Sequence, residues 1–233
     1  KKLQISGKES SSKIYTGVRK HEILPLLPQG RIIVVSDEQV AGLYGDMFGG
    51  YEQILIGQGE GQKNLETVAG IYAELLARKA DRKTFILAVG GGIVCDVAGF
   101  AAATYLRGLP FGFVSTTLLA QVDASVGGKN GVNFQGFKNM VGTFRQPSFV
   151  LCPPDMLKTL PAKELTNGFA EVIKHTLIGD AGMFQWLEQN HKAVAALDET
   201  AVNHVVAHAV SFKAAVVNRD EQERGERRLL NLG

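Results

Sequence analysis

Hydrophobic residues follow two kinds of pattern along the first 150 positions. Short apolar runs rich in β-branched residues, at 31–37, 51–56, 84–89 and 111–114, are separated by stretches in which apolar residues recur every three or four positions. The runs predict buried strands and the periodic stretches predict helices, with Asn64 as the N-cap of the helix after the second strand. Alternating strands and helices indicate βαβ units around a parallel sheet, as in a Rossmann-like α/β domain.

The pattern changes after residue 151, where Cys152, Pro153 and Pro154 interrupt the chain. Beyond them only helical periodicity is present, and it predicts helices at about 162–178, 181–189 and 199–219. We therefore expect an N-terminal α/β domain over 1–153, followed by an all-helical domain that begins at 154 and continues to 233.

Composition and charge exclude several classes of protein. With 233 residues, 45% of them hydrophobic and 21% charged, the chain has the composition of a globular protein and not of a disordered tail, a collagen or a coiled coil. Its net charge of +2 gives no general attraction to nucleic acid or to an anionic membrane. The most apolar stretch, 84–103, is interrupted by glycines and by Asp96, so no membrane segment is predicted.

The first residues of the chain, 1–8, carry positive charge but no apolar segment of the kind found in secretory signals. Cys95 and Cys152 are far apart and form no CxxC motif, which argues against a disulfide scaffold or a zinc knuckle. A cytoplasmic location is the simplest expectation.

Three consecutive glycines, Gly90 to Gly92, stand between the third predicted strand and the following helix. A strand that ends in glycines and leads into a helix exposes backbone N–H groups to a phosphate, although a plain tight turn fits the same residues. Asp37 closes the first predicted strand, where it would contact a ribose hydroxyl or cap the next helix.

The segment from Thr116 to Asn139 has the highest density of polar residues and glycines in the chain. Glycines allow a backbone to approach a ligand closely, and Lys129 and Lys138 offer charge to a phosphate. The alternative interpretation is a solvated, glycine-rich loop.

On the helix predicted at 162–178, Asn167, Glu171 and Lys174 share one face, where Glu171 would ligate a metal, accept a proton or form a surface ion pair. The expected buried stripe on the other side consists of Phe169, Ile173, Thr176 and Leu177.

The remaining histidines and charges give weaker signals. His204 and His208 are spaced i, i+4 but lack the glutamate of an HExxH motif, which favours a structural or surface role. His175 by itself is uninformative. Most of the charged residues between Lys213 and Arg228 are expected on a solvated face.

Several blocks, in order, resemble the 3-dehydroquinate synthase family, one of the sugar phosphate cyclases. The blocks are 90–100 (GGGIVCDVAGF), 105–108 (YLRG), 116–129 (TTLLAQVDASVGGK), 138–142 (KNMVG), 157–161 (LKTLP), 168–174 (GFAEVIK) and 213–221, with Gly225, Arg227 and Asn231 after them. The resemblance extends over about residues 30–233, so coincidence is a poor explanation.

This resemblance implies an NAD-dependent and divalent-metal-dependent carbon–oxygen lyase of aromatic amino acid biosynthesis, the shikimate pathway, with Zn²⁺ or Co²⁺ as the metal. Such enzymes are cytoplasmic homodimers that convert 3-deoxy-D-arabino-heptulosonate 7-phosphate into 3-dehydroquinate and phosphate. The chemistry is coherent because transient oxidation of a ring hydroxyl acidifies the neighbouring C–H bond and so permits phosphate elimination. A small phosphorylated sugar acid would be the partner, with no nucleic acid and no membrane.

The resemblance also assigns residues by matching position. NAD would contact Asp37, Glu60, Lys63, Gly91, Gly92, Asp96, Thr116, Thr117, Lys138 and Thr159. The substrate would be held by Asp123, Lys129, Asn139, Lys174, Lys213, Arg227 and Asn231, with Lys129 and Asn139 on its phosphate and Lys213 and Arg227 on its carboxylate. Arg107 would reach the phosphate from the partner subunit, and Glu171 would ligate zinc.

Two departures from the family pattern affect this assignment. Ser115 stands where the family usually has proline, and we expect it to change loop rigidity more than chemistry. The two histidine ligands and a catalytic histidine of the family would follow Gly233, so the sequence offers one of three metal ligands and predicts a defective metal site.

Two other functions remain open at this point. One is a related enzyme, such as a deoxy-inosose or valiolone synthase or a metal-dependent polyol dehydrogenase. The other is a catalytically incomplete NAD-binding fragment.

Overall fold

The computed structural model describes residues 1–6 and 11–232. The strands are β1 (Lys2–Ser6), β2 (Ser11–Thr16), β3 (Ile32–Asp37), β4 (Glu52–Ile56), β5 (Phe85–Gly90), β6 (Phe111–Ser115), β7 (Lys129–Phe134), β8 (Phe137–Phe144) and β9 (Phe149–Cys152). The helices are α1 (Glu38–Tyr44), α2 (Leu65–Ala77), α3 (Gly92–Thr104), α4 (Ala162–Gly179), α5 (Ala181–Ala195) and α6 (Glu199–Arg219).

Within the described residues, seven strands form one sheet in the order β1-β2-β9-β6-β5-β3-β4. All neighbouring pairs are parallel except β1–β2. The central strands β3, β5 and β6 are buried along nearly their whole length, as their continuous apolar sequences predict. The expected Rossmann-like α/β half followed by helices is confirmed.

The local signals that predicted the helices are also confirmed. The side chain of Asn64 accepts a hydrogen bond from the backbone N–H of Thr67, which is the N-cap contact expected at the start of α2. Buried Val68, Ile71 and Leu75 then form the apolar stripe of that helix.

The strands β1, β2 and β9 were not predicted. The segment from Thr116 to Asn139 is not the solvated, glycine-rich loop that was the alternative interpretation. It contains a π-helical turn, Ala120–Ala124, and most of the antiparallel hairpin β7–β8, whose first strand packs against α3. The hairpin escapes a pattern search because β8 is largely exposed and shows no apolar alternation.

The buried face of α4 was predicted only in part: Thr176 is buried and Phe169 packs against the core, as expected. Ile173 and Leu177 are exposed, whereas the residues that face the interior are Gly168, Val172, His175 and Thr176. Gly168 packs directly against Leu118 and Leu119, just before the π-helical turn, which places this face of α4 toward the interior.

Among the described helices, α6 is long and apolar enough, by length and composition alone, to cross a membrane. However, 56% of that segment is buried inside the fold, and a helix packed into a protein core passes the same test. Its apolar positions, among them Val205, Val206, Val210 and Val217, belong to the main hydrophobic core.

Candidate functional site

The carboxyl ends of β3, β5, β6 and β9 meet at one edge of the sheet because these strands are parallel. Gly91 is the N-cap of α3, and no described side chain caps that helix start. The backbone of Thr116 is fixed beside it, since its N–H donates to Gly90 O at 2.9 Å. Uncapped N–H groups at a helix start suit the pyrophosphate of a dinucleotide.

A buried ion pair lies next to this helix start. Lys63 Nζ lies 2.5 Å from Asp96 Oδ2, and both side chains are largely buried. Burial raises the pKa of Asp96 to about 6, and the charge of Lys63 offsets only part of that effect. The neighbouring Glu60 accepts a hydrogen bond from Asn133 Nδ2 at 2.8 Å, which ties the turn before α2 to the hairpin.

Three other residues assigned to NAD have structural partners at the same edge. Asp37 caps α1 by accepting a hydrogen bond from the N–H of Val40 at 2.8 Å, which confirms the helix-cap interpretation. Thr117 Oγ1 accepts from the N–H of Ala120, and Thr159 Oγ1 lies 2.6 Å from the hydroxyl of Tyr44. Contacts with NAD remain a prediction for all three.

Asp123 lies in the π-helical turn and is the centre of the polar contacts between the sheet and the helices. Lys213 of α6 donates from Nζ both to Asp123 Oδ1 at 2.6 Å and to Asp123 O at 2.8 Å. His175 of α4 approaches the same Oδ1, with Nε2 at 3.5 Å. Burial favours the neutral acid, but Lys213 and His175 outweigh it and hold the pKa of Asp123 below its ordinary value.

Lys213 and Arg227 are exceptions to the expectation that most charged residues between 213 and 228 lie on a solvated face, since they are 7% and 1% exposed. Burial lowers the pKa of Lys213, while the charge of Asp123 opposes that change. The Arg227 guanidinium donates to the backbone carbonyls of Gly127 and Glu221. Gly127 has a φ of +106°, and a Cβ there would lie 2.6 Å from Arg227 Nη2, so this approach requires glycine.

Glu171 and Lys174 lie on α4 beside Asp123. Lys174 Nζ is 2.6 Å from Glu171 Oε2 and donates to Leu230 O at 2.7 Å. These side chains are 24% and 18% exposed, so the pair is not a simple surface ion pair. Gly168, one turn earlier, brings α4 this close, because a Cβ there would lie 2.7 Å from the backbone N of Leu119.

Asp123, Glu171 and His175 together offer donor atoms within 4.8 Å of one another. Two carboxylates and an imidazole are suitable ligands for Zn²⁺ or Co²⁺, so these residues fit a divalent metal. The sequence predicted Glu171 alone and a defective site, whereas the structure brings three donors together. His175 was missed, although its i, i+4 spacing from Glu171 could have indicated it.

Within the described residues, neither nitrogen of the buried His175 ring has a hydrogen-bond partner by strict geometry. By contrast, the other two histidines considered for zinc have ordinary structural partners. His204 packs against the Trp186 ring at an interplanar angle of 37°, and His208 Nε2 lies 2.7 Å from Asp180 Oδ2.

Some predicted site residues are not brought together. Asn139 pairs with the far end of the hairpin, where its N–H donates to Asn133 Oδ1. Asn133 is four residues, or roughly 13 Å of strand, from Lys129. Lys138 and Arg107 are exposed, and neither forms an ion pair with the described chain. The roles of all three toward NAD or phosphate remain predictions.

Ser115, which departs from the family pattern, is fully buried. Its hydroxyl donates to Ser125 Oγ at 2.9 Å, and Ser125 Oγ donates to Ala120 O. A serine here therefore links the end of β6 to the π-helical turn, and its effect on loop rigidity remains a prediction.

Two family models match nearly four fifths of the chain. The 3-dehydroquinate synthase N-terminal model matches residues 53–167, and the C-terminal model matches residues 168–233. The chain belongs to the 3-dehydroquinate synthase family. The two models meet at 167/168, and a structural division at 153/154 remains a prediction.

Curated relatives give the same family. The 3-dehydroquinate synthase of Saccharophagus degradans is 47% identical over 91% of this chain and 60% of its own length. That of Alkaliphilus metalliredigens is 41% identical over 100% of this chain and 67% of its own length. This member of the 3-dehydroquinate synthase family thus spans about 60–67% of the length of these relatives.

Solved structures add neighbours of the same architecture. The 2-epi-5-epi-valiolone synthase of Streptomyces hygroscopicus, with NAD⁺ and Zn²⁺ bound, has a TM-score of 0.87 at 32% identity, covering 97% of this chain and 66% of its own. A 2-deoxy-scyllo-inosose synthase complexed with carbaglucose-6-phosphate, NAD⁺ and Co²⁺ has a TM-score of 0.87 at 25% identity, covering 99% and 66%. The fold of this protein therefore resembles the solved structures of other sugar phosphate cyclases.

Proposed function

We propose that this protein acts as a 3-dehydroquinate synthase, which converts 3-deoxy-D-arabino-heptulosonate 7-phosphate into 3-dehydroquinate and phosphate with NAD and a divalent metal. The observation that carries the proposal is the buried Asp123–Lys213 pair next to Glu171, on the helical side of the sheet edge. Identities of 41–47% to curated dehydroquinate synthases favour this activity over that of the valiolone synthase, at 32%.

The sheet edge supplies the NAD side of the site. The uncapped start of α3 at Gly91 would receive the pyrophosphate, and Lys63 would remain beside it, oriented by Asp96. Bound NAD would accept a hydride from the ring carbon that carries a hydroxyl, and would later return it. The protein holds the reacting carbon next to the cofactor and the buried polar groups.

The helical side supplies charge for the substrate. Lys213, held by Asp123, and Arg227, held by the carbonyls of Gly127 and Glu221, would face the carboxylate of the sugar acid. Lys129 would face its phosphate, as a single charge at the start of the hairpin. Glu171, with Asp123 and His175 nearby, would hold a divalent metal that polarises substrate oxygens.

Phosphate release tests the proposed reaction. The protein is incubated with the heptulosonate phosphate, NAD and Zn²⁺, and we expect phosphate to appear together with 3-dehydroquinate. Replacing Lys213 by Met should abolish release, whereas replacing Lys192, at the exposed end of α5, should not change it. Turnover of glucose 6-phosphate or sedoheptulose 7-phosphate instead would identify a different cyclase.

Metal binding is tested separately from activity. Titration with Co²⁺, followed by its visible absorption, should give a binding signal that E171Q weakens at least tenfold and that H175A also weakens. The matched control is E188Q, an exposed glutamate on α5. NAD binding in calorimetry without Co²⁺ binding or phosphate release would instead favour an incomplete NAD-binding fragment.

A further inference from the structure

The carboxylate of Glu223 lies between two side chains that the family resemblance assigns to the substrate. Its Oε2 pairs with Lys129 Nζ, and its Oε1 accepts a hydrogen bond from Asn231 Nδ2 at 2.5 Å. The Glu223 side chain is only 16% exposed. A lysine assigned to the substrate phosphate and an amide assigned to the substrate are thus both occupied by one carboxylate of the protein.

The turn that carries Glu223 is held in place by its own hydrogen bonds. Asp220 accepts the backbone N–H groups of Arg224, Gly225 and Arg227 at 2.9, 2.7 and 3.1 Å. Glu223 itself has a φ of +58°, a left-handed conformation that a non-glycine residue adopts at some cost. A carboxylate presented on such a turn is held toward Lys129 and is not a freely rotating surface group.

The charges around Glu223 match those of an anion subsite. Burial raises the pKa of Glu223, but the hydrogen bonds from Lys129 and Asn231 outweigh it and keep the group ionised. Arg227 adds a further positive charge nearby. A carboxylate and a phosphate are recognised by the same donors, because each presents two oxygens to an ammonium and an amide.

We propose that Glu223 is a positioning residue that occupies the phosphate subsite of the free protein. It keeps Lys129 and Asn231 oriented, and the substrate phosphate displaces it on binding. The return of the carboxylate then competes with product phosphate for the same donors. This inference rests on the proposed function, since that function assigns Lys129 to the phosphate.

Phosphate titration tests the displacement without requiring turnover. Inorganic phosphate is titrated calorimetrically into the NAD-saturated protein and into E223Q, which removes the competing charge but keeps an acceptor for Asn231. We expect E223Q to bind phosphate roughly three- to tenfold more tightly. E226Q, a matched control in an exposed pair with Arg219, should bind phosphate as the wild type does.

The possible outcomes separate this inference from the proposed function. Unchanged or weaker phosphate binding by both E223Q and E223A would overturn the role of Glu223. Loss of phosphate binding in K129M would support the assignment of Lys129 to the phosphate subsite. If K129M bound phosphate like the wild type, the subsite assignment would fail, and the inference with it. Circular dichroism verifies that each variant is folded, so a gain in affinity cannot come from structural damage.

Discussion

The sheet and the helical region each contain one largely buried lysine–aspartate pair. The pKa values of the two carboxyl groups are shifted in opposite directions. Lys63–Asp96 and Lys213–Asp123 are nearly equal in length, at 2.5 and 2.6 Å. Burial nevertheless raises the pKa of Asp96 to about 6, whereas the pKa of Asp123 falls below its ordinary value.

The number of donors explains the difference. For Asp96, Lys63 gives the largest effect opposing burial. Asp123 has two neighbours that oppose burial: Lys213 donates to its Oδ1 and to its backbone carbonyl, and His175 Nε2 lies 3.5 Å from the same Oδ1. Pair length therefore does not decide ionisation in a buried site. The sheet side contains an acid that can take up a proton near neutral pH, and the helical side contains one that stays charged.

Replacing each lysine by methionine should have the largest effect and tests the difference between the two pairs directly. In K213M, Asp123 keeps its buried charge without a cation, and we expect the free energy of unfolding to fall by about 3–5 kcal/mol. In K63M, Asp96 is already close to protonation and can become neutral, so the loss should stay below about 2 kcal/mol. Urea unfolding at pH 7 measures both changes. Equal losses would contradict the donor argument.

The pH dependence of stability sharpens the same contrast. Because the folded pKa of Asp96 lies above its unfolded value, the folded protein binds more protons between about pH 4 and 6. The free energy of unfolding contributed by Asp96 should therefore fall as pH rises through that window, by about 2–3 kcal/mol. Subtracting the D96N profile from the wild-type profile isolates this slope. A flat difference would mean that Asp96 titrates normally.

The smallest expected effect concerns how α4 reaches the turn that carries Asp123. Replacing Gly168 by Val forces a side chain against the backbone of Leu119, and we expect a loss of about 1–2 kcal/mol together with weaker Co²⁺ binding. Gly70 is the control: it lies in α2 with open space around it, so Gly70→Ala should not destabilise the protein. Unchanged Co²⁺ affinity in G168V would mean that the close packing of α4 at Gly168 is not needed to form the metal site.

Elements whose signals come from neighbouring residues in the sequence were predicted correctly. The continuous apolar runs predicted β3, β5 and β6, and the Asn64 cap predicted the start of α2. The three late helices were also predicted, because their 3.6-residue periodicity is long.

Features that depend on distant partners were not predictable from local pattern. The strand β2 exists because it pairs with β9, and its own sequence has a weak strand signal. The strand β9 is a continuous apolar run, but only four residues long, and it was overlooked. Lys213 on α6 and Arg227 in the segment after it resemble surface residues until the fold brings them to Asp123 and Gly127. His175 became interesting only when the fold placed it beside Glu171 and Asp123. The family resemblance supplied the roles of Lys213 and Arg227, which local pattern could not.

The parallel pairing of β2 with β9 also affects how the chain folds during synthesis. Lys13 pairs with Phe149, so the N-terminal strands wait until about 140 further residues have left the ribosome. At ordinary translation rates that delay is roughly 7–30 seconds, far longer than a hairpin needs to form. The nascent β1–β2 ribbon therefore remains open to wrong partners or to chaperones until the last strand arrives.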